Sequence, residues 1–190
     1  MKPADVVSIF RETNALLSGH FELRSGLHSD QFFQCAKVLQ YPLISEQLCG
    51  ALVSAYLAGG PAEMPGTVIS PALGGITVGH DVGRALGVRS VFAEKQDGAL
   101  TLRRFALEPE ERVLVAEDVI TRGGRVRETI DIVRACGAMP IGVLVLVDRS
   151  GGEVSFDVPL ISLLKMEPNV WEPAKCPLCR DGHPVVHPGS

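Results

Sequence analysis

"VLVAEDVITRGGRV", residues 113 to 126, decides how the chain is read. Four apolar residues lead into Glu117 and Asp118, and Thr121-Arg122-Gly123-Gly124-Arg125 follows, with a helical pattern beginning near Gly124. A strand of Val, Leu and Ala belongs in a core, yet ionised carboxylates need water or a partner. A ligand bearing both hydroxyls and a phosphate resolves the conflict. The acids suit the hydroxyls, and consecutive backbone N–H groups leading into a helix make a cradle for the phosphate. Glycine allows the backbone angles and the close approach that such a cradle requires.

Working outward, three further strand candidates resemble this one: Thr67 to Ser70, Ser90 to Ala93 and Ile141 to Val147, beside Arg112 to Ala116 itself. Helical patterns separate them, with Val78, Val82 and Leu86 on one face and Val126, Ile130 and Val133 on another. Strand and helix in alternation predict a mainly parallel sheet flanked by helices, with ligands gathered just after the strands. Polar clusters stand there: "PALGG" after "TVIS", Glu94-Lys95 after "SVFA", Glu117-Asp118 after "VLVA", and Asp148-Arg149 after "IGVLVLV". Upstream, Val6, Ile9, Phe10, Leu16 and Leu17 suit one helical face, as do Ile44, Leu48, Leu52 and Ala55. Between them "HFELRSGLHSDQFFQ" reads as a hairpin.

The 190 residues, with 46% hydrophobic content and mean hydropathy +0.21, suffice for one domain with a full core. No apolar run exceeds Ile141 to Val147, too short to cross a bilayer, and "MKPADVV" lacks the apolar stretch of a signal peptide; a soluble, cytoplasmic protein is expected. Five cysteines, mostly isolated, read as reduced residues. A net charge of −4 gives no reason to expect nucleic acid as a partner. Neither the G-x-x-x-x-G-K-[ST] nor the G-x-G-x-x-G pattern occurs, which weighs against nucleotide hydrolysis and dinucleotide binding.

Residues 113 to 126 resemble the motif by which type I phosphoribosyltransferases bind 5-phosphoribosyl-1-pyrophosphate (PRPP). With "GHFELRSGLHSDQFF", "SPALGGITVGHDVGRALGV", "VFAEK", "LVDRSGG" and the tail "CPLCRDG", the resemblance extends over nearly all the chain to the bacterial orotate phosphoribosyltransferases. It implies a type I phosphoribosyltransferase fold as a single domain of residues 1–190. Residues 1–43 would contribute a small hood containing the hairpin, and 168–190 a C-terminal tail. The implied reaction joins orotate to PRPP, giving orotidine 5'-monophosphate and pyrophosphate in pyrimidine biosynthesis. Glu117 and Asp118 would bind the ribose hydroxyls beside a developing oxocarbenium ion. The PRPP site would comprise Glu117, Asp118, Val119, Ile120, Thr121, Arg122, Gly123, Gly124 and Arg125, with the pyrophosphate loop Ala72, Leu73, Gly74 and Gly75. Orotate would meet Arg24, Phe32, Phe33, Thr121 and Arg149, since arginine recognises a carboxylate bidentately. Mg2+ would bridge pyrophosphate and sugar without an all-protein cage. A homodimer with shared active sites is implied, in which Lys95 reaches the pyrophosphate of the neighbouring subunit. A purine-type phosphoribosyltransferase and a non-catalytic PRPP-sensing regulator of the same fold are the alternatives.

The chain departs from its relatives at several points. Arg122 and Arg125 stand where many relatives carry Thr and Ser, Gly74 where enterobacterial-type relatives carry lysine, and "KQDGALTLRRF" where they have a long mobile loop. Whether Arg103 or Arg104 substitutes for the loop's missing cations is open. His20, His28 and His80 show no metal-ligand spacing and are expected in turn or surface roles. Cys176 and Cys179 form half a zinc site; His183 and His187 would complete one formally, but a simple tail contact is the preferred reading. A redox C-x-x-C would need a helix start near a strand, which this tail does not suggest.

Overall fold

The computed structural model describes residues 1–23 and 25–188. Its elements are α1 (Pro3–Glu12), β1 (Leu16–Glu22), β2 (His28–Phe33), α2 (Ala36–Leu39), α3 (Pro42–Ala58), β3 (Thr67–Pro71), α4 (Gly74–Leu86), β4 (Arg89–Gln96) and β5 (Ala99–Thr101). There follow β6 (Arg112–Ile120), α5 (Gly124–Ala135), β7 (Met139–Asp148), β8 (Leu160–Lys165), β9 (Val170–Trp171), a 3-10 turn at Pro173–Lys175 and α6 (Pro177–Arg180). The main sheet has the order β5-β4-β3-β6-β7-β8, parallel throughout except for the edge pair β4 and β5.

The near-continuous apolar strands are what a sheet covered on both faces demands. Successive side chains of β6 divide accordingly: Leu114 and Ala116 join Val6, Phe10, Leu48, Leu52, Val78 and Val82, contributed by α1, α3 and α4. Val113 and Val115 face the other way and pack with Val126, Ile130 and Val133 of α5. On β7, Leu144 and Leu146 join the first group, Val143 and Val145 the second. Complete burial of these side chains, each contributing about 1.5–3 kcal/mol, fixes the register of the two central strands.

Several boundaries differ from the sequence reading. Glu117 and Asp118 lie within β6, which runs on to Ile120, and likewise Glu94 and Lys95 lie within β4 and Asp148 within β7. Strand pairing persists past the apolar stretch because the neighbouring strand continues: Glu117 is paired with Val145 and Ile120 with Asp148. The stretch after Lys95 is a β-hairpin in which Gln96 pairs with Ala99 around Asp97 and Gly98, both at positive φ (49° and 96°). Asp-Gly is a preferred two-residue hairpin turn, so this signal was present in the sequence. The edge strand β8 lay outside the four strand candidates.

Residues of the first hairpin form a separate sheet, β1-β2-β9, in which β9 from the C-terminal segment pairs with β2. Val186 then bridges to Phe21 on the other side of β1, so the segment 170–186 embraces the hairpin from both edges. None of the helices among the described residues is long and apolar enough to cross a membrane.

Candidate active site

The strand order reverses between β3 and β6, where chains leave the sheet in opposite directions and a crevice opens at the carboxyl ends. Glu117 and Asp118 stand on one side of it and the loop Ala72 to Gly75 on the other. The two are in contact. A Cβ added to Gly74 would lie 2.7 Å from Asp118 Oδ2, and one added to Gly75 would lie 2.9 Å from Glu117 Oε1. Glycine at both positions is therefore what leaves room for the carboxylates. The Ala72–Leu73 peptide is cis, Ala72 donates its N–H to the Ala93 carbonyl of β4 at 2.7 Å, and Leu73 is exposed.

Glu117 is buried and Asp118 half-buried. Glu117 Oε1 accepts the Asp118 N–H at 3.1 Å, and Asp118 Oδ1 accepts the Val119 N–H at 2.8 Å. Burial, then the neighbouring Asp118 charge, lifts the Glu117 carboxyl well above the usual range. Burial likewise raises Asp118, opposed by its hydrogen bond with Glu117. Two carboxyls this close titrate as a pair and hold a proton between them more tightly than either alone. Cys35 lies beneath them, its Sγ 4.0 Å from the Asp118 carbonyl; burial, with Asp118 second, pushes its thiol up, so it stays protonated.

From β6 the chain enters the glycine loop. Gly123 caps α5 in the left-handed conformation, φ 69°, and a Cβ there would sit 2.7 Å from Val154 Cγ1, so no other residue fits. No side chain caps this helix, and its first N–H groups, from Gly124 onward, have no intrahelical acceptor. Thr121, Arg122, Gly124 and Arg125 are exposed at this end. Arg125 Nη1 reaches across to the Ala72 carbonyl at 3.2 Å, joining the two loops. Arg127, unnoticed in the sequence, supports the turn from behind by donating to the Arg122 carbonyl at 2.7 Å with its guanidinium over the Phe156 ring.

Arg149 follows β7, its N–H bonded to the Ile120 carbonyl at 2.9 Å, which brings it beside the β6 end. Asp148 fixes the turn by accepting both the N–H and the hydroxyl of Ser150. The guanidinium lies 5.2 Å over the Phe33 ring, and its buried Nε has no hydrogen-bond partner among the described residues. Burial lowers its proton affinity, but an arginine keeps its charge at neutral pH. A half-buried guanidinium with an idle donor is a seat for an anion. Phe33 is also core, packing on Phe10 at 5.9 Å, whereas Phe32 is half-buried against Phe21. Arg24 lies outside the described residues.

Lys95 is exposed on β4, two residues past Ala93, whose carbonyl holds the Ala72 loop. Arg104 is tied to Glu94 at 2.9 Å, and Arg103 is exposed.

No protein-family model matches the chain. A curated orotate phosphoribosyltransferase of Heliobacterium modesticaldum is 49% identical over 191 residues, covering 100% of this chain and 99% of its own. The chain belongs to the orotate phosphoribosyltransferase family. The family's member from Pelotomaculum thermopropionicum is 51% identical over 187 residues, covering 98% and 96% of the two chains. Among solved structures, orotate phosphoribosyltransferase from Aeropyrum pernix superposes with a TM-score of 0.73 at 22% identity, covering 85% of this chain and 93% of that one. Adenine phosphoribosyltransferase from Thermoanaerobacter pseudethanolicus gives 0.61 at 18%, covering 72% and 88%. These two likenesses establish the shared type I phosphoribosyltransferase fold, which orotate and adenine enzymes have in common. His20 and His28 depart from the turn or surface roles read in the sequence: both are buried, on β1 and β2.

Proposed function

We propose that this enzyme transfers the phosphoribosyl group of PRPP to orotate, with the acid pair, glycine loop and Arg149 forming one site. The observation that carries the reading is the close approach of the buried Glu117 and half-buried Asp118 to Gly74 and Gly75 across the crevice, with the uncapped N-terminus of α5 following the same strand.

In this reading the N–H groups at the start of α5, with Arg122 and Arg125, hold the 5'-phosphate. Glu117 and Asp118 accept the ribose hydroxyls. As the C1–oxygen bond to pyrophosphate breaks, positive charge grows on the ribose, and carboxylates already in position stabilise it without reorganisation. A ring nitrogen of orotate then forms the bond to C1, and pyrophosphate departs on the Ala72 to Gly75 side. Arg149 holds the orotate carboxylate over Phe33, joined by Arg24 and Phe32 from the hairpin segment 1–43 that covers the base. Purine bases carry no carboxylate for Arg149, which favours orotate over a purine substrate.

The crowded acid pair also suits a hard divalent cation, since two adjacent carboxyls raised by burial gain from positive charge nearby. Glu117 and Asp118 would stand beside a Mg2+ held through PRPP, which when bound would supply positive charge for the pyrophosphate. Gly74 leaves that loop without a cation of its own, so Lys95 of a second subunit in a twofold dimer supplies one.

Incubation of the protein with PRPP, Mg2+ and, separately, orotate, uracil, xanthine and adenine tests the proposal. Nucleotide should form with orotate; turnover of adenine or xanthine in preference to orotate would overturn the assignment of Arg149.

A further inference from the structure

Away from the crevice, four side chains from two distant segments converge beneath the hairpin. His20 of β1 and His28 of β2 meet Cys176, the residue before α6, and Cys179 within it, and their ligand atoms all lie within 4.8 Å of one another. Cys176 Sγ is 3.4 Å from His20 Nε2, Cys179 Sγ is 3.6 Å from the same nitrogen, and Cys179 Sγ is 3.3 Å from His28 Nδ1. In tetrahedral zinc coordination, Zn–S near 2.3 Å and Zn–N near 2.0–2.1 Å place sulfur and nitrogen about 3.5 Å apart. The three separations bracket that value. The two imidazole nitrogens are 2.8 Å apart, about 0.5 Å closer than tetrahedral ligands, a difference removed by a small rotation of either ring.

A supporting bond is also in place. His20 Nδ1 bonds the His183 carbonyl at 2.8 Å, which puts the proton on Nδ1 and turns the Nε2 lone pair toward the cluster. Ligating histidines are held in this way. We infer that His20, His28, Cys176 and Cys179 form a structural zinc site that fastens the C-terminal segment to the hairpin. Two thiolates and two imidazoles select a borderline-soft cation over Mg2+ or Ca2+, and two negative sulfurs neutralise Zn2+. The segment needs such a fastening: from Glu172 to Pro188 only Cys176 is buried, and α6 has four residues, too few to be stable alone. The ligands differ from those the sequence suggested. His183 contributes its carbonyl instead of its ring, and the His187 ring faces Glu22 at 3.6 Å. Cys176 does stand at a helix start close after β9, so the tail offers what a redox pair would need, and a Cys176–Cys179 disulfide is the competing outcome.

His20 and His28 stand on the two strands that precede and follow Arg24 in the sequence, so a metal here also ties β1 to β2 beside the segment proposed to meet orotate.

The test uses the untagged full-length protein purified without chelator from zinc-supplemented cells. Elemental analysis should find one zinc per chain, released to a chromogenic chelator when thiols are blocked. Cobalt substitution should give the intense visible bands of a tetrahedral ion with thiolate charge transfer. Cys176→Ser with Cys179→Ser should abolish both, whereas His183→Ala, His187→Ala and Cys136→Ser should retain them. The wild-type readouts stand even where the double variant fails to fold. Substoichiometric zinc with no tetrahedral cobalt spectrum, metal retained in a folded double variant, or a Cys176–Cys179 disulfide in the purified protein would each overturn the site.

Discussion

Replacing Gly74 with alanine separates the site from the fold. The new Cβ would meet Asp118 Oδ2 at 2.7 Å, Cγ at 3.0 Å and Oδ1 at 3.1 Å, so the carboxylate must retreat by about 0.7 Å to reach the 3.4 Å of ordinary contact. Asp118 can do so by rotating, at about 0.5–1.5 kcal/mol for a side chain forced off its rotamer. Against this, alanine at the first residue of α4 contributes up to about 1 kcal/mol of helix propensity over glycine. The two nearly cancel, so the melting temperature should stay within about 4 °C of wild type. Activity should not. A reacting group is held to within about 0.5 Å in a working site, and a 1 Å misplacement costs about a hundredfold. The expected loss in kcat/KM is therefore about 10- to 100-fold, or about 1.4–2.7 kcal/mol of transition-state stabilisation. Steady-state kinetics with PRPP and orotate, paired with thermal unfolding, measures both quantities. Activity within about threefold of wild type at an unchanged melting temperature would refute the claim that Asp118 must sit where Gly74 lets it.

Three other outcomes follow from the same geometry. Glu117 binds its proton more tightly folded than unfolded, so between the unfolded and folded pKa values the native state holds more protons and loses stability as pH rises. Glu117→Gln should thus be more stable than wild type by a margin that widens from about pH 5 to about pH 8, exceeding about 1 kcal/mol at the upper end; urea unfolding showing a margin that shrinks would reverse the sign of the argument. Arg149→Ala should weaken orotate binding by about 1.5–3 kcal/mol, the scale of a charged hydrogen bond, with PRPP affinity nearly intact; equal losses by calorimetry would reject a base-binding role. Lys95→Ala and Asp118→Asn, each inactive, should regain about a quarter of wild-type activity when unfolded together in equal amounts and reassembled, because random pairing makes about half the dimers mixed and each has one intact site; mixed dimers no more active than either parent would exclude a shared site.

The sheet was legible where composition had one meaning. Strands of Val, Leu and Ile around β3, β6 and β7 are buried on both faces, and no other arrangement satisfies such runs in a chain of this size. β8 was not legible because its residues, Leu160–Lys165, are mostly half-buried at the sheet edge and follow a loop that carries no strand signal. The β4–β5 hairpin was marked by Asp97-Gly98 but masked by expecting a loop there. Glu117, Asp118 and the glycine turn stand together in the sequence because one strand and one helix carry them. Arg127 and Cys35 could not be found in that way: one acts through a carbonyl five residues back, the other through a contact across 83 positions. The histidine pair was hidden for a related reason. Seven residues separate His20 from His28, a spacing without meaning on one element. Across the hairpin Glu22 pairs with His28, and the register irregularity between Ser18 and Phe21 breaks the alternation that His20 would otherwise follow, so the meeting of the two rings has no counterpart in the sequence pattern.

The same topology explains why so costly a pair of acids is tolerated at the crevice. Glu117 and Asp118 weaken the free protein, since buried carboxyls that resist ionisation withdraw stability at neutral pH. They stand on β6, between β3 and β7, with apolar residues packed on both faces immediately before them. A strand at the sheet edge would fray under that load. The cation that bears on the pair within the chain is Arg125 of α5, whose charge opposes the rise of both carboxyls. Gly75 is the more constrained of the two loop glycines, because a Cβ there would meet Glu117 Oε1 at 2.9 Å and also Pro71 and Ser70 at 3.2 Å, whereas one at Gly74 would meet only the mobile end of Asp118.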